Sequence, residues 1–297
     1  MKRLAGVLAP VVTPFDASGA LDADGFARNA RAHLAAGLAG LVVAGSTGEA
    51  ALLDEDERDA LVEGARDVVG AHQWLVVGVG GESTRQTVRR AERAAERGAD
   101  AVLVVAPHYY GLAPGEAGLR AHFERVADAS PVPVVLYNIP KYMHFTLPPA
   151  LVAQLARHEN VLGIKDSSGD SATLVSYLAA QSDRFTVLTG SGAGLAPALA
   201  AGARGGILAV SLFAAELTLE AGRGGEAGGE AGGAAQAALA PLAREIVGTL
   251  GVPGVKAALD EVGLAGGAPR LPLLPLDAAG RARVHELLDA ARAATAA

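Results

Sequence analysis

Residues 161–165 read VLGIK, in which four residues without charge lead into a lysine. The run is short, rich in branched residues and not alternating, which is typical of a parallel strand covered on both faces. Seven other runs of Val, Leu, Ile and Ala share this character, and longer helical patterns separate them. The eight predicted strands are 6–12, 40–44, 74–79, 101–105, 132–137, 161–165, 185–188 and 205–209.

Eight strands that alternate with helices predict an α/β fold, a (β/α)8 TIM barrel with a C-terminal helical extension. Two of the intervening patterns, at 54–69 and 84–97, are typical of helices, and Asp54 is the expected N-cap of the first. An open, doubly wound sheet is the alternative. Such a sheet usually carries a glycine-rich phosphate turn after its first strand, whereas residues 13–16 read TPFD.

The chain continues well past the eighth strand. Patterns at 234–250, 255–262 and 277–294 predict helices, so we divide the chain into a catalytic barrel, 1–222, and a C-terminal helical subdomain, 223–297. The stretch GRGGEAGGEAGG, at 222–233, is rich in glycine, which is a poor helix former. We expect a mobile surface loop there.

Composition narrows the class of protein. The 297 residues are 51% hydrophobic and 19% charged, which allows a large core, and there is no cysteine. A net charge of −7 without a basic block argues against nucleic acid or a membrane surface as a partner. The histidines are scattered, so we expect no metal site. The first twelve residues resemble a signal peptide, but Pro10 interrupts them, and we expect a cytoplasmic enzyme.

Lys165 is the first candidate for chemistry. The working face of a barrel lies at the carboxyl ends of its strands, and Lys165 ends the sixth strand. A lysine that leaves an apolar strand there must point into a cavity. Burial favours the neutral form of an amine, which is the form that attacks a carbonyl. The alternative is a structural ion pair with Asp166, although neighbouring side chains on a strand point to opposite faces.

Tyr137 and a short turn complete the candidate site. Tyr137 ends the adjacent strand, so that its hydroxyl can transfer protons at the same mouth, unless it is only a core aromatic residue. Ser46 and Thr47 lie in the turn GSTGE at 45–49, whose hydroxyl and N–H groups suit a carboxylate. Glu49 could act as an acid, but a structural role is the better interpretation.

Five segments occur in the order and spacing of one known family: GSTGE at 45–49, PHYYG at 107–111, VVLYNIP at 134–140, GIKDSSGD at 163–170 and GARGGILAVS at 202–211. With them, nearly the whole chain resembles the dihydrodipicolinate synthase / N-acetylneuraminate lyase family. The resemblance implies a barrel-shaped, pyruvate-dependent class I aldolase. Such an enzyme takes a 2-keto acid as its small-molecule substrate and needs neither a metal nor an organic cofactor.

The resemblance also implies a role for each matching residue. Lys165 would form an imine with pyruvate, and Tyr137 would relay protons. Ser46 would link Tyr137 to Tyr110, which in this family usually reaches a neighbouring subunit, so we expect a homodimer or homotetramer. The implied catalytic residues are Lys165, Tyr137, Ser46 and Tyr110, and the implied substrate-binding residues are Thr47, Gly48, Gly190 and Leu208, the last through its carbonyl.

Departures from the family pattern narrow the substrate. Dihydrodipicolinate synthases usually carry an arginine five residues after the strand-five tyrosine, where this chain has Tyr142. Their lysine-feedback site is not matched either, because Glu82 and Gln86 replace the usual residues. The glycine-rich segment from Gly190 lacks the acids of sialate lyases. The segments GSGAG at 190–194, GARGGILA at 202–209 and GVPGVKAAL at 251–259 look most like those of 4-hydroxy-2-oxoglutarate aldolases and related 2-keto-3-deoxy sugar acid aldolases. A true synthase, an imine-forming dehydratase and a catalytically silent binding protein stay open.

Overall fold

The computed structural model describes residues 2–227 and 230–296. Eight parallel strands form a closed barrel in chain order, and β1 pairs with β8 to complete the ring. The strands are β1 Gly6–Pro10, β2 Gly40–Val43, β3 Trp74–Gly78, β4 Ala101–Val105, β5 Val134–Asn138, β6 Val161–Asp166, β7 Thr186–Thr189 and β8 Gly205–Ile207. The barrel prediction and all eight strands are confirmed, within a few residues at each end.

Burial explains why these segments are strands. Nearly all of their residues are inaccessible to solvent, because the barrel interior covers one face and the outer helices cover the other. The eighth strand is shorter than predicted, since Ala209–Leu212 forms a 3₁₀ helix. That turn directs the chain from the barrel wall toward the C-terminal helices.

Twelve α-helices surround the barrel or follow it in the described part of the chain. Asp54 caps α2 as predicted: its N–H donates to Glu57 over 2.9 Å, and its side chain accepts from the same residue's backbone. The helices are α1 Ala23–Ala35, α2 Glu55–Arg66, α3 Thr84–Glu96, α4 Gly115–Ala129, α5 Pro140–Met143, α6 Pro149–Leu155, α7 Ser171–Leu178, α8 Leu195–Ala200, α9 Ala215–Ala227, α10 Glu230–Pro241, α11 Gly251–Glu261 and α12 Ala278–Ala296.

The glycine-rich stretch is helical wherever the structure describes it, so the predicted mobile loop is wrong at 222–227 and 230–233. Residues 228–229 of that prediction lie outside the described residues. Packing supplies the reason. A Cβ at Gly225 would lie 2.6 Å from Cα of Ala196, so glycine lets α9 contact α8 at a distance that no other residue permits. Close packing compensates for the low helix propensity of glycine.

The C-terminal helices are confirmed, with one change. The predicted helix at 234–250 continues through Pro241 into a π-helix, Leu242–Thr249, and α11 follows directly. The predicted boundary after residue 222 lies inside α9, and the division into two units stays a prediction. In the residues that the structure describes, no helix combines the length and apolarity needed to cross a bilayer.

Candidate active site

A cavity of about 360 Å³ opens at the carboxyl ends of the strands. This is the face on which barrel enzymes carry their catalytic groups. The cavity brings together five of the eight predicted site residues: Ser46, Thr47, Tyr137, Lys165 and Gly190.

Lys165 and Tyr137 are direct neighbours across two strands. They occupy paired positions in the register of β5 and β6, so both side chains project to the same side at the same height. Lys165 is 6% exposed and Tyr137 is 4% exposed, and the Lys165 Nζ lies 4.3 Å from the centre of the Tyr137 ring. Within the described residues, that amine makes no hydrogen bond or ion pair. The arrangement presents a sheltered, unpaired amine to the cavity.

Asp166 does not neutralise the lysine. It projects to the opposite face of β6, where its Oδ1 accepts a hydrogen bond of 2.7 Å from the Asn138 side chain, and its Oδ2 accepts one of 2.8 Å from Ser168. Burial raises the pKa of the Asp166 carboxyl, and these hydrogen bonds oppose the effect. In the described residues, Lys165 and Asp166 therefore do not form the structural ion pair that was the alternative interpretation.

The turn after β2 presents two free donors. The N–H of Gly48 donates to Gly45 over 3.0 Å and that of Glu49 donates to Ser46 over 3.2 Å, which leaves the N–H groups of Ser46 and Thr47 without partners in the described structure. A hydroxyl from the segment that follows β1 holds the turn, since Thr13 donates to the Gly48 carbonyl over 2.7 Å. Two N–H groups and two hydroxyls at one turn can bind a carboxylate.

Gly190 is glycine because the cavity wall leaves no room for a side chain. A Cβ there would lie 1.9 Å from Oγ and 2.9 Å from Cβ of Ser167, and 3.1 Å from Cε of Lys165. Any larger residue would clash with Ser167 and would crowd the lysine stem. Its N–H donates to the Asp166 carbonyl over 2.6 Å, which fixes the segment.

Three predicted residues lie outside the lining of the cavity. Tyr110 is 74% exposed and stacks edge-on against Tyr109 at 5.2 Å, and its predicted link to Ser46 stays a prediction. Gly48 uses its N–H inside the turn, as described above. The Leu208 carbonyl accepts two hydrogen bonds from Ser211, one from the N–H at 3.1 Å and one from the hydroxyl at 2.7 Å.

Part of the cavity wall was missed by the sequence analysis. The π-helix and α11, which follow the barrel in the chain, cover one side of the opening. The sequence carried no signal for this placement, because it depends on how the C-terminal helices fold back over the strands. The lining residues from this region are Ala243, Arg244, Val247, Gly248, Gly251, Val252 and Val255.

Two residues of α5 occupy the entrance. The ring of Tyr142 lines the cavity, and burial raises the pKa of its hydroxyl, which keeps the phenol neutral. Lys141 lies beside it and donates to the Gly248 carbonyl over 2.8 Å. No group of three or more potential ligand side chains capable of holding a metal ion is found in the part of the chain that the structure describes.

A barrel that shelters an unpaired lysine beside a tyrosine, at the carboxyl ends of its strands, has the machinery of a class I aldolase, a lyase that works through a Schiff base. The comparisons with known proteins agree. A model of the dihydrodipicolinate synthetase family matches residues 3–291.

Individual proteins show the same relationship. A 4-hydroxy-tetrahydrodipicolinate synthase from Xanthomonas axonopodis pv. citri is 40% identical over 285 residues, which cover 93% of this chain and 91% of that protein. Another, from Exiguobacterium sp., is 34% identical over 287 residues, covering 96% and 97%. The structure of YagE from E. coli K12, a prophage protein of the dihydrodipicolinic acid synthase family in complex with pyruvate, has a TM-score of 0.91 at 32% identity and covers 97% of this chain and 99% of that one.

The chain belongs to the dihydrodipicolinate synthetase family. It is therefore a member of a family of carbon–carbon lyases, the pyruvate-dependent class I aldolases.

Proposed function

We propose that this protein is an aldolase that cleaves or forms the carbon–carbon bond between pyruvate and an aldehyde, with a 4-hydroxy-2-oxo acid or a 2-keto-3-deoxy sugar acid as the cleaved substrate. The observation that carries the proposal is the position of Lys165, whose amine lies unpaired over the Tyr137 ring inside the cavity. Family membership supports the same chemistry.

The proposed cycle begins at the Lys165 amine. It attacks C2 of the keto acid, and loss of water gives a protonated imine. A base then removes the proton of the C4 hydroxyl, the C3–C4 bond breaks, and its electron pair moves toward the imine nitrogen to form an enamine while the aldehyde leaves. Protonation of C3 and hydrolysis of the imine release pyruvate and regenerate the amine. The protonated imine is the electron sink of this cycle.

Tyr137 is the proposed proton carrier in these steps. The centre of its ring lies 4.3 Å from the Lys165 Nζ. We therefore expect its hydroxyl to be close to the reacting carbons of a substrate bound to that amine. The carboxylate of the keto acid would accept hydrogen bonds from the free N–H groups of Ser46 and Thr47, which fixes C2 beside the lysine. Both roles follow from the donors that the cavity offers.

The identity of the aldehyde depends on the entrance. Tyr142 occupies the position at which dihydrodipicolinate synthases usually carry an arginine, and a neutral phenol cannot make the two parallel hydrogen bonds of a guanidinium to a carboxylate. This favours an aldehyde other than aspartate semialdehyde. The second candidate, 4-hydroxy-tetrahydrodipicolinate synthase, is favoured by the names of the two relatives described above.

A direct assay separates the two candidates. The purified protein would be incubated with 4-hydroxy-2-oxoglutarate and with a panel of 2-keto-3-deoxy acids, and pyruvate release would be followed. In parallel, pyruvate and aspartate semialdehyde would be assayed for condensation. We expect pyruvate release to exceed condensation. Efficient condensation with no cleavage of any hydroxy-oxo acid would reject the proposal in favour of the synthase.

We also propose that the working enzyme is a dimer or tetramer. The side chains of Tyr109, Tyr110 and Leu112 are 79%, 74% and 70% exposed on one loop, which is a large apolar surface for a single chain to leave uncovered. Light scattering at assay concentrations tests the assembly. A fully active monomer would contradict both the assembly and the role of Tyr110.

A further inference from the structure

The charges that line the cavity are all of one sign. Among its described lining residues are Lys141, Lys165 and Arg244, and no Asp or Glu, although the whole chain carries a net charge of −7. We infer that the aldehyde half of the substrate ends in a second anionic group, a carboxylate or a phosphate, and that Arg244 is the residue that selects it. This inference rests on the proposed aldolase function and names the substrate class for the same site.

The three cations of the cavity lining differ in their part in the proposed cycle. Lys165 is the nucleophile of the proposed cycle, and the Ser46–Thr47 turn accounts for the carboxylate next to the keto carbon. Neither task involves Arg244 or Lys141, which reach the cavity from the π-helix and from α5. Two cations of the cavity lining thus have no task in the proposed cycle and remain for the rest of the substrate.

Arg244 is free to bind a ligand. Its guanidinium makes no hydrogen bond or ion pair with any residue that the structure describes. By contrast, the arginines on α2 and α3 that face acids are paired, as with Arg90 and Glu55 at 2.6 Å. Arg244 is exposed and lines the cavity with its side-chain donors unused, and a guanidinium of this kind can make two parallel hydrogen bonds to a carboxylate or a phosphate.

Lys141 is oriented toward the same helix. Its Nζ donates to the Gly248 carbonyl over 2.8 Å, and Gly248 lies four residues after Arg244 on the π-helix. The remaining two protons of the ammonium group can still be donated to a ligand. Half of the π-helix faces the cavity, through Ala243, Arg244, Val247 and Gly248, so the two cations share one wall.

The rest of that wall does not suit an uncharged polyol. Val247, Val252 and Val255 are apolar, and a sugar tail needs acceptors for its hydroxyl protons as well as donors. Apart from the groups used in the proposed cycle, the side-chain hydroxyls among the described lining residues are those of Ser167, Ser191 and Tyr142. The wall therefore favours a short aldehyde that ends in an anion over a neutral sugar.

Two pairs of keto acids, matched in length, test the inference without any cleavage step. The enzyme would be incubated with 2-oxoglutarate or 2-oxopentanoate, and with 2-oxoadipate or 2-oxohexanoate, then reduced with borohydride. The concentration that gives half-maximal labelling of Lys165 would be measured by mass spectrometry. We expect the dicarboxylates to label at about 10- to 100-fold lower concentration, the range for a hydrogen-bonded charge. Equal labelling, preference for the monocarboxylates or no labelling by either dicarboxylate would overturn the inference.

Variants assign the preference to a residue. Arg244→Ala should remove most of the preference, and Arg244→Lys should restore part of it. Arg31→Ala, on the exposed face of α1 and outside the cavity lining, is the matched control and should keep it. An unchanged preference in Arg244→Ala would exclude this residue.

Cleavage assays then distinguish the two anions. Pyruvate release would be compared for 4-hydroxy-2-oxoglutarate, for 2-keto-3-deoxygluconate and for its 6-phosphate. Arg244→Ala should raise KM for the preferred anionic substrate with little change in kcat, because the contact is equal in the ground and transition states. Preference for 2-keto-3-deoxygluconate, whose aldehyde half carries no charge, would overturn the inference. Absence of pyruvate from all three, beside labelling that favours dicarboxylates, would refute the proposed function and support the anion site.

Discussion

Two lysines are buried in the described part of the chain, and they differ in their partners. Lys256, on α11, is 1% exposed; its Nζ lies 2.6 Å from Glu49 and donates to the Ala268 carbonyl over 2.9 Å. Lys165 is 6% exposed and has neither kind of partner within the described residues. Each amine also lies over an aromatic ring, that of Phe15 at 4.6 Å or that of Tyr137 at 4.3 Å.

The difference separates a structural lysine, Lys256, from the proposed nucleophile, Lys165. Burial lowers the pKa of Lys256, but the adjacent carboxylate opposes that effect and holds the ion pair together. The pair joins α11 to the turn that carries Ser46 and Thr47, so it connects the C-terminal helices to the cavity. Lys165 lines the cavity and has no carboxylate partner in the described residues, so its amine is available to a ketone.

Replacement of Lys165, the proposed nucleophile, should have the largest effect. Lys165→Met keeps an unbranched stem but removes the nucleophile, so we expect kcat/KM for aldol cleavage to fall by about 10⁵-fold or more. Because no buried partner loses its charge, the free energy of unfolding should change by less than about 1 kcal/mol. Steady-state kinetics and denaturant titration measure the two quantities. Turnover retained in Lys165→Met would show that Lys165 is not the nucleophile.

Removal of one hydroxyl beside Lys165 should have the next largest effect. Tyr137→Phe keeps the ring that the amine faces and removes the proposed proton carrier. We expect kcat to fall by roughly 10²- to 10⁴-fold, the usual range for a positioned acid–base group. The imine with pyruvate should still be trapped by borohydride, which serves as the control for folding. Turnover equal to that of the unchanged protein would remove Tyr137 from the mechanism.

The matched replacement of the structural lysine should act on stability. Lys256→Met leaves the buried Glu49 carboxylate without its ion-pair partner, so the free energy of unfolding should fall by about 3–5 kcal/mol. The double variant Glu49→Gln, Lys256→Met has no unpaired charge and should recover most of the loss. Denaturant titration of the cycle tests this, and an equally unstable double variant would show that the ion pair is not the cause.

His33 sharpens the comparison, because it is buried and unpaired but lies outside the cavity lining. Its Nε2 has no partner in the described residues, and burial lowers its pKa to about 4. The unfolded chain therefore binds more protons between pH 6.5 and 4, and stability falls as the pH falls through that window. His33→Gln should lose about 1–3 kcal/mol less than the unchanged protein on going from pH 7 to 4.5. The exposed His72→Gln is the control, and identical losses in both variants would contradict the account.

Much of the fold could be predicted because its signal is local. Each strand is a continuous apolar run, and the capping box at Asp54 begins α2 at the predicted place. The glycine-rich helix at 222–227 could not be predicted, since it depends on the contact between Gly225 and Ala196, far apart in sequence. Local propensity indicated a loop, and tertiary packing prevailed.

The same distinction applies to the candidate site. The shared location of Lys165 and Tyr137 could be predicted because they lie near the carboxyl ends of adjacent strands, and strand order follows from the barrel. Arg244 was missed because its position depends on how the π-helix folds back over the strands. A single sequence does not show which of its arginines will enter a cavity.

Borohydride trapping with pyruvate, followed by peptide mapping of all lysines, tests the central claim most directly. The account predicts one pyruvate-derived adduct, on Lys165, and none on Lys256, in the same sample. An adduct on another lysine, or an unmodified Lys165 under saturating pyruvate, would contradict it.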